Sequence, residues 1–166
     1  PATNKPEIAF AGRSNVGKSS LINRLVNSKR LAHTRSRPGR TQSINFFSVG
    51  KNLHFVDLPG YGYAGVPRKI RQSWKGLIES YLSERPNLKA VVVIMDIRRK
   101  PGPGDLDLLY WLKAFNIQAI IALTKSDKLS RSATKQQFDV ISKELFKEIL
   151  DKPVIYIGNC QESKGS

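Results

Sequence analysis

The sequence predicts an α/β fold, on three observations. Short strand-type runs alternate with longer stretches whose apolar residues recur at helical spacing. Ala90 to Met95 and Ala119 to Leu123 are apolar at almost every position, as strands covered on both faces are. A glycine-containing stretch, Gly12 to Ser19, joins an apolar run to a helical one, the order of a strand–loop–helix unit.

Ile8-Ala9-Phe10-Ala11 is the first strand, and Leu21 to Leu25 belong to the first helix. Ser28 to Ser43 is polar and basic, contains Pro38-Gly39, and reads as a long functional loop. Ile44 to Val49 and Leu53 to Leu58 are strands joined by Gly50-Lys51-Asn52, so they pair antiparallel at one side of the sheet. After the loop Gly60 to Gly65, the span Arg68 to Glu84 is helical. Ile70, Trp74, Leu77, Ile78, Tyr81 and Leu82 share its inner face, which makes Trp74 a core residue. Between the two buried strands, Asp105 to Phe115 is a helix with acidic residues at its positive end and Trp111 in the core. Ser132 to Leu150 is a further helix, and Val154 to Ile157 the last strand.

At 166 residues the chain is expected to be one domain. No apolar run nears the roughly 20 residues that span a bilayer, and no secretory signal is read, so a cytoplasmic, membrane-free protein and a monomer are expected. The lone Cys160 forms no internal disulfide and fits a reducing compartment. Lys and Arg number 28 against 13 Asp and Glu, leaving +15. That excess favours a polyanionic partner, nucleic acid first.

The residues Gly12-Arg13-Ser14-Asn15-Val16-Gly17-Lys18-Ser19 match G-x-x-x-x-G-K-[ST]. Backbone N–H groups of such a loop cradle phosphates at a helix N-terminus, Lys18 reaches the outer phosphates, and the Ser19 hydroxyl ligates Mg²⁺. Asp57-Leu58-Pro59-Gly60 follows a strand. Its carboxylate is placed to hold Mg²⁺ through water, and the Gly60 N–H to meet a γ-phosphate. Thr124-Lys125-Ser126-Asp127 closes another strand. Asp127 accepts from both N1–H and the 2-amino group of guanine, which adenine cannot match, and the Lys125 stem covers the base. Thr41, in the long loop, is the second hydroxyl for Mg²⁺, with Arg40 beside it facing phosphate or partner. Gly158-Asn159-Cys160 stands where a further loop would meet the guanine O6.

Together with Pro38-Gly39-Arg40-Thr41-Gln42, which the nucleotide-contact candidate Ser43 follows, and Asp57-Leu58-Pro59-Gly60-Tyr61-Gly62-Tyr63-Ala64, these segments make the chain resemble the EngB family of translation-factor-related bacterial GTPases, from about Pro6 to Gly158. The resemblance implies a three-layer domain: a six-stranded, mostly parallel sheet with one antiparallel edge strand and helices on both faces. It also implies binding of GTP and GDP, Mg²⁺-dependent hydrolysis, and a role in assembling the large ribosomal subunit, with a link to normal cell division and septation. The family continues into a final helix past the position of Ser166, and Gly158-Asn159-Cys160 replaces its Ser-rich turn.

Catalysis is expected from Lys18, Thr41 and Gly60, by positioning and charge compensation. No Gln follows Gly60; Tyr61 stands there, and a phenol does not orient an attacking water as an amide does, so slow intrinsic hydrolysis is expected. Asn15 has two readings: K⁺ placed near the phosphates, as in related GTPases with Asn here, or a residue tolerated in a tight loop. Gln42 has no assigned catalytic role. Lys29, Arg30, Arg35, Arg37, Arg40, then Arg68, Lys69, Arg71, then Arg98-Arg99-Lys100 form a basic surface for rRNA. His33 reads as solvated or RNA-facing, and His54 as structural. Two competing readings stand beside this one: a GTP-holding RNA-binding module that does not hydrolyse, and a P-loop ATPase or kinase, against which Thr124 to Asp127 argues.

Overall fold

In a computed structural model, residues 4–26, 44–62, 67–148 and 154–158 are described. The elements run β1 (Glu7–Gly12), α1 (Lys18–Leu25), β2 (Asn45–Val49), β3 (Leu53–Asp57), α2 (Arg68–Glu84), β4 (Leu88–Asp96), α3 (Pro103–Ala114), β5 (Gln118–Thr124), α4 (Arg131–Glu148) and β6 (Val154–Ile157), with a short 3₁₀ turn at Ser126–Lys128.

Six strands form one sheet in the order β2-β3-β1-β4-β5-β6. Among the described residues only β2 runs antiparallel to its neighbour, β3, with Val49 opposite Leu53 across the hairpin. All other pairings are parallel. The expected α/β sheet with one antiparallel edge strand is therefore what the chain forms. β1 lies between β3 and β4, so the strand order reverses there, the position at which ligands of open α/β sheets bind outside the carboxyl ends of the strands. The register brings Phe10 opposite Asp57, Gly12 opposite Ile94, and Asp96 opposite Thr124. The strand ends carrying the motifs thus share one edge.

Strand alternation divides the core in two. Ala9, Ala11, Val56, Val91, Val93 and Ile121 face α2, α3 and α4, where Ile78, Leu108, Leu112 and Ile141 are fully or almost fully buried. Phe10, Phe55 and Ile94 face the other way, and Val16 and Ile22 of the loop and α1 cover them. Phe10 and Phe55 meet edge to face at 4.9 Å. Helices therefore lie on both faces. Trp74 is buried as expected, whereas Trp111 is only partly buried at the core margin.

Some boundaries differ from the sequence reading. Pro103 starts α3 two residues before Asp105: Pro needs no N–H donor at the first position, and Asp105 then accepts the Gly102 N–H at 2.8 Å. β4 extends to Leu88 and Asp96, because pairing on both sides prolongs it into polar positions. β3 ends at Asp57, although the Leu58 N–H still bonds the Phe10 carbonyl at 3.0 Å. α4 begins at Arg131, capped by Ser130, whose hydroxyl accepts the Ala133 N–H at 3.2 Å. Among the described residues no helix is long and apolar enough to cross a membrane.

Candidate nucleotide site

The phosphate loop begins where β1 ends and finishes where α1 starts, so its amides and the N-terminal end of α1 face the same space. Two residues supply the tight turn. Gly17 sits at φ 95°, a left-handed conformation at no steric cost, and Asn15 at φ 65°, which asparagine tolerates better than most residues. The local backbone thus accounts for Asn15 in the tight-loop sense.

Tertiary contacts join this loop to the other motifs. The Lys18 ammonium bonds the Asp57 carboxylate and the Leu58 carbonyl, so the loop and the end of β3 are already in contact. The Thr124 hydroxyl, buried, lies 2.6 Å from the Val16 carbonyl and 3.2 Å from that of Met95. Lys125 takes a left-handed φ of 63° and donates from Nζ to the Asn15 carbonyl at 2.7 Å, which ties the end of β5 to the loop. Asp127 follows in the 3₁₀ turn. The Ser126 N–H meets the Gly158 carbonyl at 3.4 Å, and the Gly158 N–H that of Leu123 at 3.0 Å, so the start of the last loop reaches the same edge. The structure therefore assembles Gly12 to Ser19, Asp57 to Gly60, Thr124 to Asp127 and Gly158. Gly39, Arg40, Thr41, Gln42, Ser43, Asn159 and Cys160 lie outside the described residues, as do His33 and the basic residues of the first loop.

Charged partners support this edge, and sequence reading did not find them. Asp96, at the end of β4, is bracketed by Arg98 through Nε at 3.0 Å and Nη2 at 2.7 Å, with Lys125 Nζ at 3.6 Å. Burial pushes the Asp96 carboxyl up, but the Arg98 hydrogen bonds and the two cations outweigh it and hold the group below its ordinary range. Arg98 is thus committed to Asp96, while Arg99, Lys100, Arg68, Lys69 and Arg71 are exposed. Tyr61 is buried, with its hydroxyl on Asp105 of α3. At the far end of β1, the fully buried Glu7 carboxylate is held by Arg85 and by the Tyr81 hydroxyl at 3.0 Å. No local signal marks Lys125 with Asp96, Tyr61 with Asp105 or Glu7 with Arg85 and Tyr81, because their members are far apart in the chain; Arg98 lies only two residues from Asp96. His54 is buried in β3, 3.4 Å from the Ser48 hydroxyl, as a structural residue.

Residues 7–125 match the family model described as "50S ribosome-binding GTPase". A probable GTP-binding protein EngB from Halothermothrix orenii is 56% identical over 151 residues, covering 91% of this chain and 76% of that protein. The chain belongs to the EngB family of GTP-binding proteins. A second EngB relative, from Limosilactobacillus reuteri, is 46% identical over 165 residues, covering 99% of this chain and 83% of its own length. The crystal structure of a probable GTP-binding protein EngB superposes with a TM-score of 0.74 at 28% identity, covering 93% of this chain and 89% of the other. As an EngB family member the chain is a P-loop GTPase-type protein.

Proposed function

We propose that this chain is a slow, Mg²⁺-dependent GTPase switch whose nucleotide state governs contact with rRNA during large ribosomal subunit assembly, with a link to normal cell division. The observation that carries the reading is the meeting of the phosphate loop, Asp57 to Gly60 and Thr124 to Asp127 at one sheet edge, held by the Lys18, Thr124 and Lys125 contacts.

The residues divide the work by chemistry. Loop amides and the positive end of α1 attract the phosphates, and Lys18 exchanges its Asp57 and Leu58 partners for phosphate oxygens. Asp127 reads guanine, and the Lys125 stem covers the base. Gly60 presents its N–H to the terminal phosphate, and Thr41 joins it on the reacting side. Ser19, Thr41 and Asp57 are hard oxygen donors of the kind Mg²⁺ takes, and they would hold the ion, which neutralises charge on the transferred group. A site completed by phosphate oxygens and water needs only one carboxylate. Tyr61, engaged with Asp105, is not available to orient water, which supports slow turnover and switching rather than rapid catalysis.

The ribosomal part is supported by the matched family description, the net charge of +15 and the exposed cations of α2 and of residues 99–100. Co-sedimentation with ribosomal subunits and precursors, in GDP or a non-hydrolysable GTP analogue at near-physiological salt, tests it. Association with the large subunit that depends on the nucleotide is expected. Equal binding in both states overturns gating, and no binding overturns the ribosomal reading.

A further inference from the structure

Tyr61 directly follows the glycine that is to meet the terminal phosphate, yet its side chain points into the protein. Its ring lies 5.0 Å from that of Trp74 and in a slot that α3 leaves open at Gly104, where a Cβ would stand 2.7 Å from the tyrosine ring. Its hydroxyl donates to one Asp105 carboxylate oxygen at 2.5 Å, and the other oxygen accepts the Gly102 N–H. The second bond is ordinary helix capping; the first leaves the helix and reaches the segment that contacts nucleotide. Arg13 of the phosphate loop closes the group: a Cβ on Gly62 would lie 2.7 Å from its Nε, and one on Gly102 3.5 Å from its Nη1.

The backbone around Tyr61 is held as well. Its N–H meets the Gly12 carbonyl at 3.3 Å, and its carbonyl accepts the Ser14 N–H at 2.9 Å. Trp74 Nε1 donates to the Pro59 carbonyl at 2.6 Å, and Gly60 lies against Ser14, where an added Cβ would stand 3.2 Å from the hydroxyl. Residues 59–61 are thus tied to the phosphate loop, to α2 and to α3. The Gly60 N–H lies in the Pro59–Gly60 peptide plane, whose carbonyl Trp74 holds. The Gly60 Cα joins that plane to the peptide of Tyr61, so the tyrosine anchor fixes the other end of the glycine and limits how far its N–H can turn.

We propose that the Tyr61–Asp105 bond is a latch that sets the position of the Gly60 N–H, which makes Asp105, outside every nucleotide motif, a positioning residue for discrimination between GTP and GDP. The inference rests on the GTP-switch reading above. Only GTP carries the phosphate that Gly60 meets, so loosening the latch weakens GTP binding and leaves GDP binding almost intact. Packing alone would need a phenyl ring in the slot, not a hydroxyl paired with a buried carboxylate.

The test is the affinity of the full chain for fluorescent GDP and for a fluorescent non-hydrolysable GTP analogue. Wild type is compared with Tyr61→Phe, Asp105→Asn and the double variant, with Arg85→Met as a destabilised control at the opposite end of β1. Loss of one hydrogen bond to a charged acceptor sets the expected scale, a fall of about tenfold for the analogue and less than about twofold for GDP. The double variant is expected to fall no further than Tyr61→Phe alone, because the bond is already absent once the hydroxyl is gone. Asp105→Asn alone removes the charge and leaves one oxygen to serve two donors. The control is expected to melt lower with its analogue-to-GDP ratio unchanged. Equal losses for both nucleotides, or no loss, reduce Tyr61 and Asp105 to packing and overturn the proposal. A wild-type chain that binds neither nucleotide overturns the switch reading itself, a distinguishable result. Should Asp105→Asn fail to fold, Tyr61→Phe, whose ring still fills the slot, decides the question.

Discussion

Replacing Arg85 by Met tests what holds the end of the molecule away from the nucleotide site. Glu7 is fully buried, and its carboxylate is held by two guanidinium nitrogens of Arg85 and by the Tyr81 hydroxyl. Arg85 also lies over the rings of Phe46, at 5.0 Å, and Tyr81, at 5.9 Å, and so ties the antiparallel edge strand to α2. Methionine keeps much of the stem's packing but leaves a buried carboxylate with one neutral donor. Breaking one side of a buried pair costs about 3–5 kcal/mol; with the Arg85 side chain 22% exposed, about 3 kcal/mol is the appropriate figure. For a domain of this size each kcal/mol lowers Tm by about 2–4 °C, so a fall of about 6–12 °C is expected. Urea titration and thermal melting of wild type, Arg85→Met, Glu7→Gln and the double variant form the assay. The double variant should recover part of the loss, since the uncompensated charge is gone, and the cycle should show coupling above about 1 kcal/mol. A single variant within about 0.5 kcal/mol of wild type, or additive losses, would refute the argument that the buried charge governs the cost.

Further outcomes follow from the site. Asp127→Ala should weaken GTP by about a hundredfold, two lost hydrogen bonds to a charged acceptor, and remove the preference over ATP in a competition assay; retained guanine selectivity would refute the base-reading role. Gly12→Ala brings a Cβ to 2.8 Å from both the Ile94 carbonyl and Val16, and should cost about 1–3 kcal/mol in a melt with impaired nucleotide binding. The Asp96 carboxyl is held below its ordinary range in the folded state, so its stabilisation is complete above the unfolded value of about 3.9 and is lost as pH falls through the lower folded value. Asp96→Asn should accordingly melt below wild type at pH 7, with the gap closing in acid; a gap independent of pH would show that charge is not its source. If Asn15 helps place K⁺ beside the phosphates, hydrolysis in KCl exceeds that in NaCl, and equal rates would reject the idea.

Much of the architecture could be read from the chain because it depends on local chemistry. Uniformly apolar runs such as Ala90 to Met95 mark strands buried on both faces, and the three-residue hairpin Gly50-Lys51-Asn52 forces β2 and β3 antiparallel. The nucleotide motifs were legible for the same reason: a phosphate loop needs glycine at the left-handed turn and a lysine at the helix start, all within a few consecutive residues. Trp111 packs against the core yet stays partly exposed, since helical spacing gives a face but not how far that face is covered. α3 starts two residues before the sequence predicts, because Pro103 reads as a break although it occupies the first helical position.

By itself the sequence determined the α/β class and the family, since each follows from short-range pattern and side-chain type. Only the tertiary structure decided that Glu7 finds Arg85, that Lys125 comes to Asp96, and that Tyr61 turns inward to Asp105. A buried polar group must have a partner, but that partner is chosen by strand order and helix docking, which bring together residues that the chain leaves far apart.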